Sequence, residues 1–182
     1  MSLGVDIKAL VIEKGADGAG WLKTSQIPID PALRKACEVN TCGSFGKTCA
    51  CPPLAGTAEE VEARARSYEN FLLFQTVGQL TDSFDVEGMD EAGERHKVLT
   101  RAVHDALYPT ISDFLMLGAG GCTLCESCVA AQGADCLFPD KVIPSMSAYC
   151  IQVSRAAALA GLKYNNGVNT VTYFSGVFVP EM

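Results

Sequence analysis

The sequence predicts one α/β domain, or a closely related α+β one, whose mixed and mostly parallel sheet is flanked by helices. Three observations carry that expectation. The segment NFLLFQTVG (residues 70–78) is an almost unbroken apolar run closed by turn residues, as in a strand buried on both faces. Between Asp90 and Leu107 the apolar positions Leu99, Ala102, Val103, Ala106 and Leu107 form one helical stripe. DFLMLG (113–118) then reads as a second strand. A strand, a long helix and a strand make a right-handed crossover, which would set the two strands parallel in one sheet.

The other elements follow in order. DIKALVIEKG (6–15) has Ile7, Leu10 and Val11 at helical spacing and ends on a glycine, so it reads as a short helix, although a strand also fits. GWLKTSQIPI (20–29) suits an edge strand. Asp30 before Pro31 is a helix start, giving a short helix over about Pro31–Glu38 that delivers Cys37 into a loop. Thr57 and Glu60 stand in capping-box register for a helix from Ala58 to about Tyr68. Late in the chain Met146, Cys150, Val153, Ala157 and Ala160 step by four and three, which predicts a helix with Cys150 as a buried core thiol in its seam. Asn165–Gly167 is a turn signal, and TVTYFSGVFV (170–179) closes the chain as a strand.

With 48% hydrophobic and 19% charged residues, the 182-residue chain has enough apolar material for a packed core and reads as a single metal-binding domain over 1–182. A net charge of −7 argues against a nucleic-acid partner, which calls for a surplus of Lys and Arg. The opening MSLGVDIKALVIEKGADG carries acidic residues early and has no long apolar core, so no secretory leader is expected. No run reaches the roughly 18 apolar residues of a membrane helix. The expected location is therefore cytoplasmic, where nine cysteines serve as ligands or redox groups more readily than as disulfides.

The cysteines fall into two groups. In CTLCESC, Cys122, Cys125 and Cys128 follow one another with two residues between, and three thiolates at that pitch wrap three corners of a cube-shaped iron–sulfur cluster. Cys136 follows after seven residues rather than the three of the bacterial ferredoxin run; a longer loop can still return it to the same cube as a fourth ligand, or take it to a different centre. The glycines of GAGG (118–121) would let backbone approach the sulfurs. A helix starting near Ser145 would point its positive end at the cluster.

Upstream, CEVNTCGSFGKTCACPP supplies Cys37, Cys42, Cys49 and Cys51, which read as a second metal centre with zinc as an option. A Cys-x-Cys pair fits one cubane poorly, and Cys51, rigid before Pro-Pro, is the preferred ligand of the two. The crossover topology carries both cysteine loops to the carboxyl edge of the sheet, where open α/β sheets hold ligands. His96 and His104 read as surface residues.

CEVNTCGSFGKTCACPP, GGCTLCESCVAAQGADCLFP and PSMSAYCIQVSRAAALAGL, in that order, resemble an uncharacterised family of predicted metal-binding proteins, mostly from anaerobic bacteria and archaea. The resemblance implies metal binding through cysteines, an iron–sulfur centre as the usual supposition, and no established reaction. The matching positions are Cys37, Cys42, Cys51, Cys122, Cys125, Cys128 and Cys136, with Cys49 an addition.

The leading expectation is thus one or two [4Fe–4S] clusters used for electron transfer, or as accessory to an anaerobic redox enzyme, with a redox protein as partner. The alternative is a structural zinc module that mediates protein interaction. Neither nucleic acid nor membrane is expected as a partner, and a homo-oligomer is compatible with both readings. No Ser–His–Asp order, P-loop, dinucleotide fingerprint or pair of catalytic carboxylates is present, so enzymatic activity is left open.

Overall fold

The computed structural model describes residues 5–181; the first four residues of the opening segment and Met182 lie outside it. The chain runs through α1 (Ile7–Glu13), β1 (Gly18–Lys23), α2 (Arg34–Val39), α3 (Ala58–Arg66), β2 (Asn70–Gln79), α4 (Val86–Leu107), β3 (Leu115–Leu117), α5 (Val153–Leu159) and β4 (Thr170–Val179). Local chemistry sets several boundaries. Asp6 caps α1 by accepting from Ala9 N, and Asp30 accepts from Ala32 N in the 3-10 turn that leads into α2. Thr57 and Glu60 close a reciprocal capping box on α3, and Asp85 accepts from Gly88 N to start α4.

Among the described residues the strands form one sheet in the order β1-β2-β4-β3, and every neighbouring pair is antiparallel. This corrects the expected mostly parallel sheet. Leu72 on β2 pairs with Val177 on β4, which pairs with Met116 on β3. β2 and β3 therefore do point the same way, as the crossover requires, but the final strand inserts between them and reverses each pairing. The class is α+β.

Helices cover both faces. Leu72, Phe74, Val177 and Met116 pack with Ile7 and Val11 of α1 and with Leu99, Val103 and Leu107 of α4. Phe71, Leu73, Leu117 and Phe178 pack with Val61 and Ala65 of α3 and with Ala156 and Ala157 of α5. Burial on both faces accounts for the apolar run in β2. That pattern is typical of parallel sheets, but burial alone says nothing about strand direction.

Two other expectations change. The helix predicted from Met146 starts only at Val153, and Ser145–Ile151 is a set of tight turns in which Cys150 takes a left-handed conformation, φ 54°. The helix start near Ser145 that was to face the cluster is therefore absent from that place. His96 and His104 are buried rather than on the surface. His96 bridges the sheet, with Nδ1 2.8 Å from Thr76 Oγ1 and Nε2 2.7 Å from Ser175 Oγ. β1 is an edge strand, as expected. No helix among the described residues is long and apolar enough to cross a membrane.

Candidate metal centre

β3 hands the chain to Gly118, whose N–H donates to Pro144 O at 2.9 Å while its carbonyl accepts from Met146 N at 3.0 Å. Ser145 N in turn donates to Ala50 O at 2.9 Å. The 118–121 loop, the 144–151 turns and the Cys49-Ala50-Cys51 triplet are thereby tied together. Gly120 turns the chain at φ +82°, and a Cβ on Gly121 would stand only 3.4 Å from Ser44 Oγ and Thr48 Oγ1. Both cysteine loops meet here, beyond the carboxyl end of β3.

Five sulfurs share one small cavity. Cys49, Cys122, Cys125, Cys128 and Cys136 line it, with Leu124 and Phe138 among its apolar walls. Cys49 Sγ lies 3.8 Å from Cys136 Sγ. Burial raises the Cys49 thiol above its ordinary range, and the hydrogen bond with Cys136 and the charges of Cys122, Cys136 and Cys128 add to it. Cys125 is raised by burial and then by the same facing sulfurs. Cys128 goes the other way: the N–H of Ala131 stabilises its thiolate first, and those of Cys49 and Ala130 assist against a smaller burial effect. Nearby backbone N–H groups favour a thiolate, and the Ala131 N–H also donates to the Cys128 carbonyl at 3.2 Å.

The remaining sulfurs gather on the other side of Ala50. Cys37 Sγ is 3.9 Å from Ser147 O, and Cys51 Sγ is 3.9 Å from Ser145 Oγ. Cys150 is fully buried, and its N–H donates to the same Ser147 carbonyl at 3.0 Å. Burial raises the Cys37 thiol, Arg34 opposes this, and the charges of Cys150, Cys42 and Cys51 add to it. Cys42 is exposed at the rim. The sequence grouped Cys49 with Cys37, Cys42 and Cys51; in the fold Cys49 faces the downstream loop and Cys150 faces the upstream one. The Cys49-x-Cys51 spacing signalled that the two would part, but not where Cys49 would go, and no spacing pointed to Cys150. The sequence did hold a weaker signal against a helix at Cys150, namely Pro144, Ser145 and Ser147 just before it.

All nine cysteines are free. The donors suit soft or borderline metals such as iron and zinc. Their arrangement is a gathering rather than a closed cage: among the described residues no three His, Cys, Asp or Glu side chains stand ready to hold one ion. A tetrahedral four-thiolate zinc site, with Zn–S near about 2.3 Å, would place every sulfur pair about 3.8 Å apart. The Cys49–Cys136 pair has that spacing. The cavity's free volume of ≈ 10 Å³ is that of a single ion or water.

A larger groove of ≈ 680 Å³ runs past Cys49 and Cys136, bordered by Arg64, Tyr68, His104 and Asp113. Tyr68 donates its hydroxyl to Asp113 Oδ1 at 2.9 Å. Burial and that carboxylate push the phenol up to about 12.

An α+β sheet covered on both faces, with sulfurs from loops some 80 residues apart gathered at one end, defines a cysteine-rich protein whose donors suit a metal. The chain belongs to the family described as predicted metal-binding protein (DUF2284), whose model matches residues 20–179. No curated protein and no solved structure matches it.

Proposed function

We propose that the protein holds an iron–sulfur centre of the [4Fe–4S] type on Cys122, Cys125, Cys128 and Cys136, and passes single electrons to or from a redox protein or enzyme of a reducing, cytoplasmic compartment. The observation that supports this most is the shared cavity: three cysteines at two-residue pitch and the later Cys136 all line it. A cluster bound there supplies a one-electron carrier whose potential depends on N–H···S bonds and solvent exposure. The chain's own part is to hold the sulfurs, to keep the Cys128 thiol low through neighbouring backbone N–H groups, and to shield the site with Leu124 and Phe138. The groove beside Cys49 and Cys136 gives a partner an approach to it.

A second reading, a structural zinc site, is favoured by the water-sized cavity and by the 3.8 Å sulfur pair. Anaerobic purification and reconstitution, with iron, sulfide and zinc analysis and EPR of the dithionite-reduced protein, separates the two. Iron and sulfide in equal amounts with a reduced-cluster signal, both lost from this centre in Cys125→Ala, are the expected result. A colourless protein that takes up zinc but no iron or sulfide would overturn the iron–sulfur reading.

A further inference from the structure

Cys150 is buried, as the sequence implies, but in a tight turn rather than in the seam of a helix. The 144–151 turns are held from three sides. Ser145 N reaches Ala50 O at 2.9 Å, Asp30 N reaches Cys150 O at 2.9 Å, and Arg34 Nη2 reaches Ala148 O at 2.9 Å. These contacts hold Cys150 between the helix that carries Cys37 and the loop that carries Cys51. The Cys37 sulfur and the Cys150 N–H address one carbonyl, that of Ser147. The Cys51 sulfur addresses the Ser145 hydroxyl, which also accepts from Ala148 N at 3.1 Å.

A second observation points to an anionic occupant. Arg34 Nε is buried and has no hydrogen-bond partner. A buried guanidinium N–H left unmatched is costly, and a centre that carries several thiolates would supply the missing negative charge. Cys150 itself keeps a left-handed backbone, φ 54°, which a non-glycine residue takes rarely and at some cost.

We infer that Cys37, Cys42, Cys51 and Cys150 form a second thiolate metal centre, with Arg34 balancing its charge and Cys49 assigned to the first. Only Ala50 lies between Cys49 and Cys51, and two residues of extended chain span no more than about 7 Å. The two centres are thus neighbours through one tripeptide. Ala50 is fully buried, and its carbonyl is pinned by Ser145, which fixes their separation.

The test is metal loading of the full chain, with iron plus sulfide and, separately, with cobalt(II) as a spectroscopic stand-in for zinc. Cys150→Gly is the main variant because glycine accepts the positive φ, so the turn survives the loss of sulfur. Cys37→Ser is the second variant, and far-UV circular dichroism checks the fold of each. The expected result is that Cys150→Gly and Cys37→Ser each lose about half of the wild-type metal and of the thiolate-to-cobalt charge-transfer intensity. Cys125→Ala should lose the other half, and Cys125→Ala with Cys150→Gly should lose nearly all.

Full wild-type metal in folded Cys150→Gly would overturn the assignment, as would loss of this same half in Cys49→Ser. If the proposed downstream centre proves empty, Cys125→Ala should keep all of the wild-type metal while Cys150→Gly and Cys37→Ser lose nearly all of it. The two readings therefore fail separately.

Discussion

The Cys49 sulfur lies 3.8 Å from the Cys136 sulfur, although 87 residues separate them in the chain. Two thiols held that close, with Cys122, Cys125 and Cys128 around the same small cavity, share either a metal or an oxidation fate.

Metal-free protein exposed to mild peroxide should therefore join Cys49 to Cys136. The two thiols lose two electrons and two protons, and the peroxide is reduced to water. Peptide mapping by mass spectrometry should find this link among the products, and prior metal loading should suppress it. Complete oxidation of the loop cysteines with Cys49 still free would contradict the contact.

His96 makes stability depend on pH through a group remote from the sulfurs. Burial lowers its pKa from 6.5 to about 4. The unfolded chain takes up a proton near 6.5, whereas the folded one resists until about 4, so the unfolded state binds more protons in between. This contribution is complete above 6.5 and is lost as pH falls from 6.5 to 4. It amounts to on the order of 3 kcal/mol, at no more than about 1.4 kcal/mol per pH unit. Urea midpoints of wild type and His96→Gln, measured from pH 4 to 7.5, should show the difference between them growing in favour of wild type as pH rises to 6.5. A constant difference would mean that the imidazole titrates alike in both states.

Gly176 should tolerate no side chain. It sits on β4 between Leu73 of β2 and Leu117 of β3, and a Cβ there would drive into the Phe71 ring and come 3.0 Å from Leu72 O. Strand propensity alone would make Gly176→Ala neutral or favourable. Packing predicts a loss of about 1–3 kcal/mol, seen as a lower urea midpoint with an unchanged slope. Phe71→Leu in the same chain should recover part of that loss by opening space. A midpoint at or above wild type for Gly176→Ala would show that the strands can part at no cost.

The α3 capping box offers a control for local structure. Thr57 Oγ1 accepts from Glu60 N at 3.2 Å, and Glu60 Oε2 accepts from Thr57 N at 2.8 Å. Thr57→Ala should cost about 1 kcal/mol. Because α3 follows the Cys51-Pro-Pro segment without contributing a sulfur, metal content should stay at the wild-type level. Loss of metal in a folded Thr57→Ala protein would show that the helix start positions the sulfurs.

What the sequence determined by itself was whatever neighbouring residues decide among themselves. Thr57 with Glu60, Asp30 with Pro31, and the stripe from Leu99 to Leu107 specify starts and faces within a few residues, and each stands in the fold where its pattern implies. The two cysteine-rich loops were equally legible, because close thiol spacing is a local property. Tertiary structure decided the rest. The run Phe71–Phe74 encodes burial on both faces, and β4 supplied the antiparallel partner that no periodicity in β2 could name. Cys49 and Cys51, one residue apart, were divided between two sulfur groups, and Cys150 and His96 were given partners from distant segments. Those outcomes depend on which backbone groups find each other across about 100 residues of chain, as Ser145 finds Ala50 and Asp30 finds Cys150. Such pairings are settled by satisfying buried hydrogen bonds and filling space in the packed whole, and a linear pattern carries no record of them.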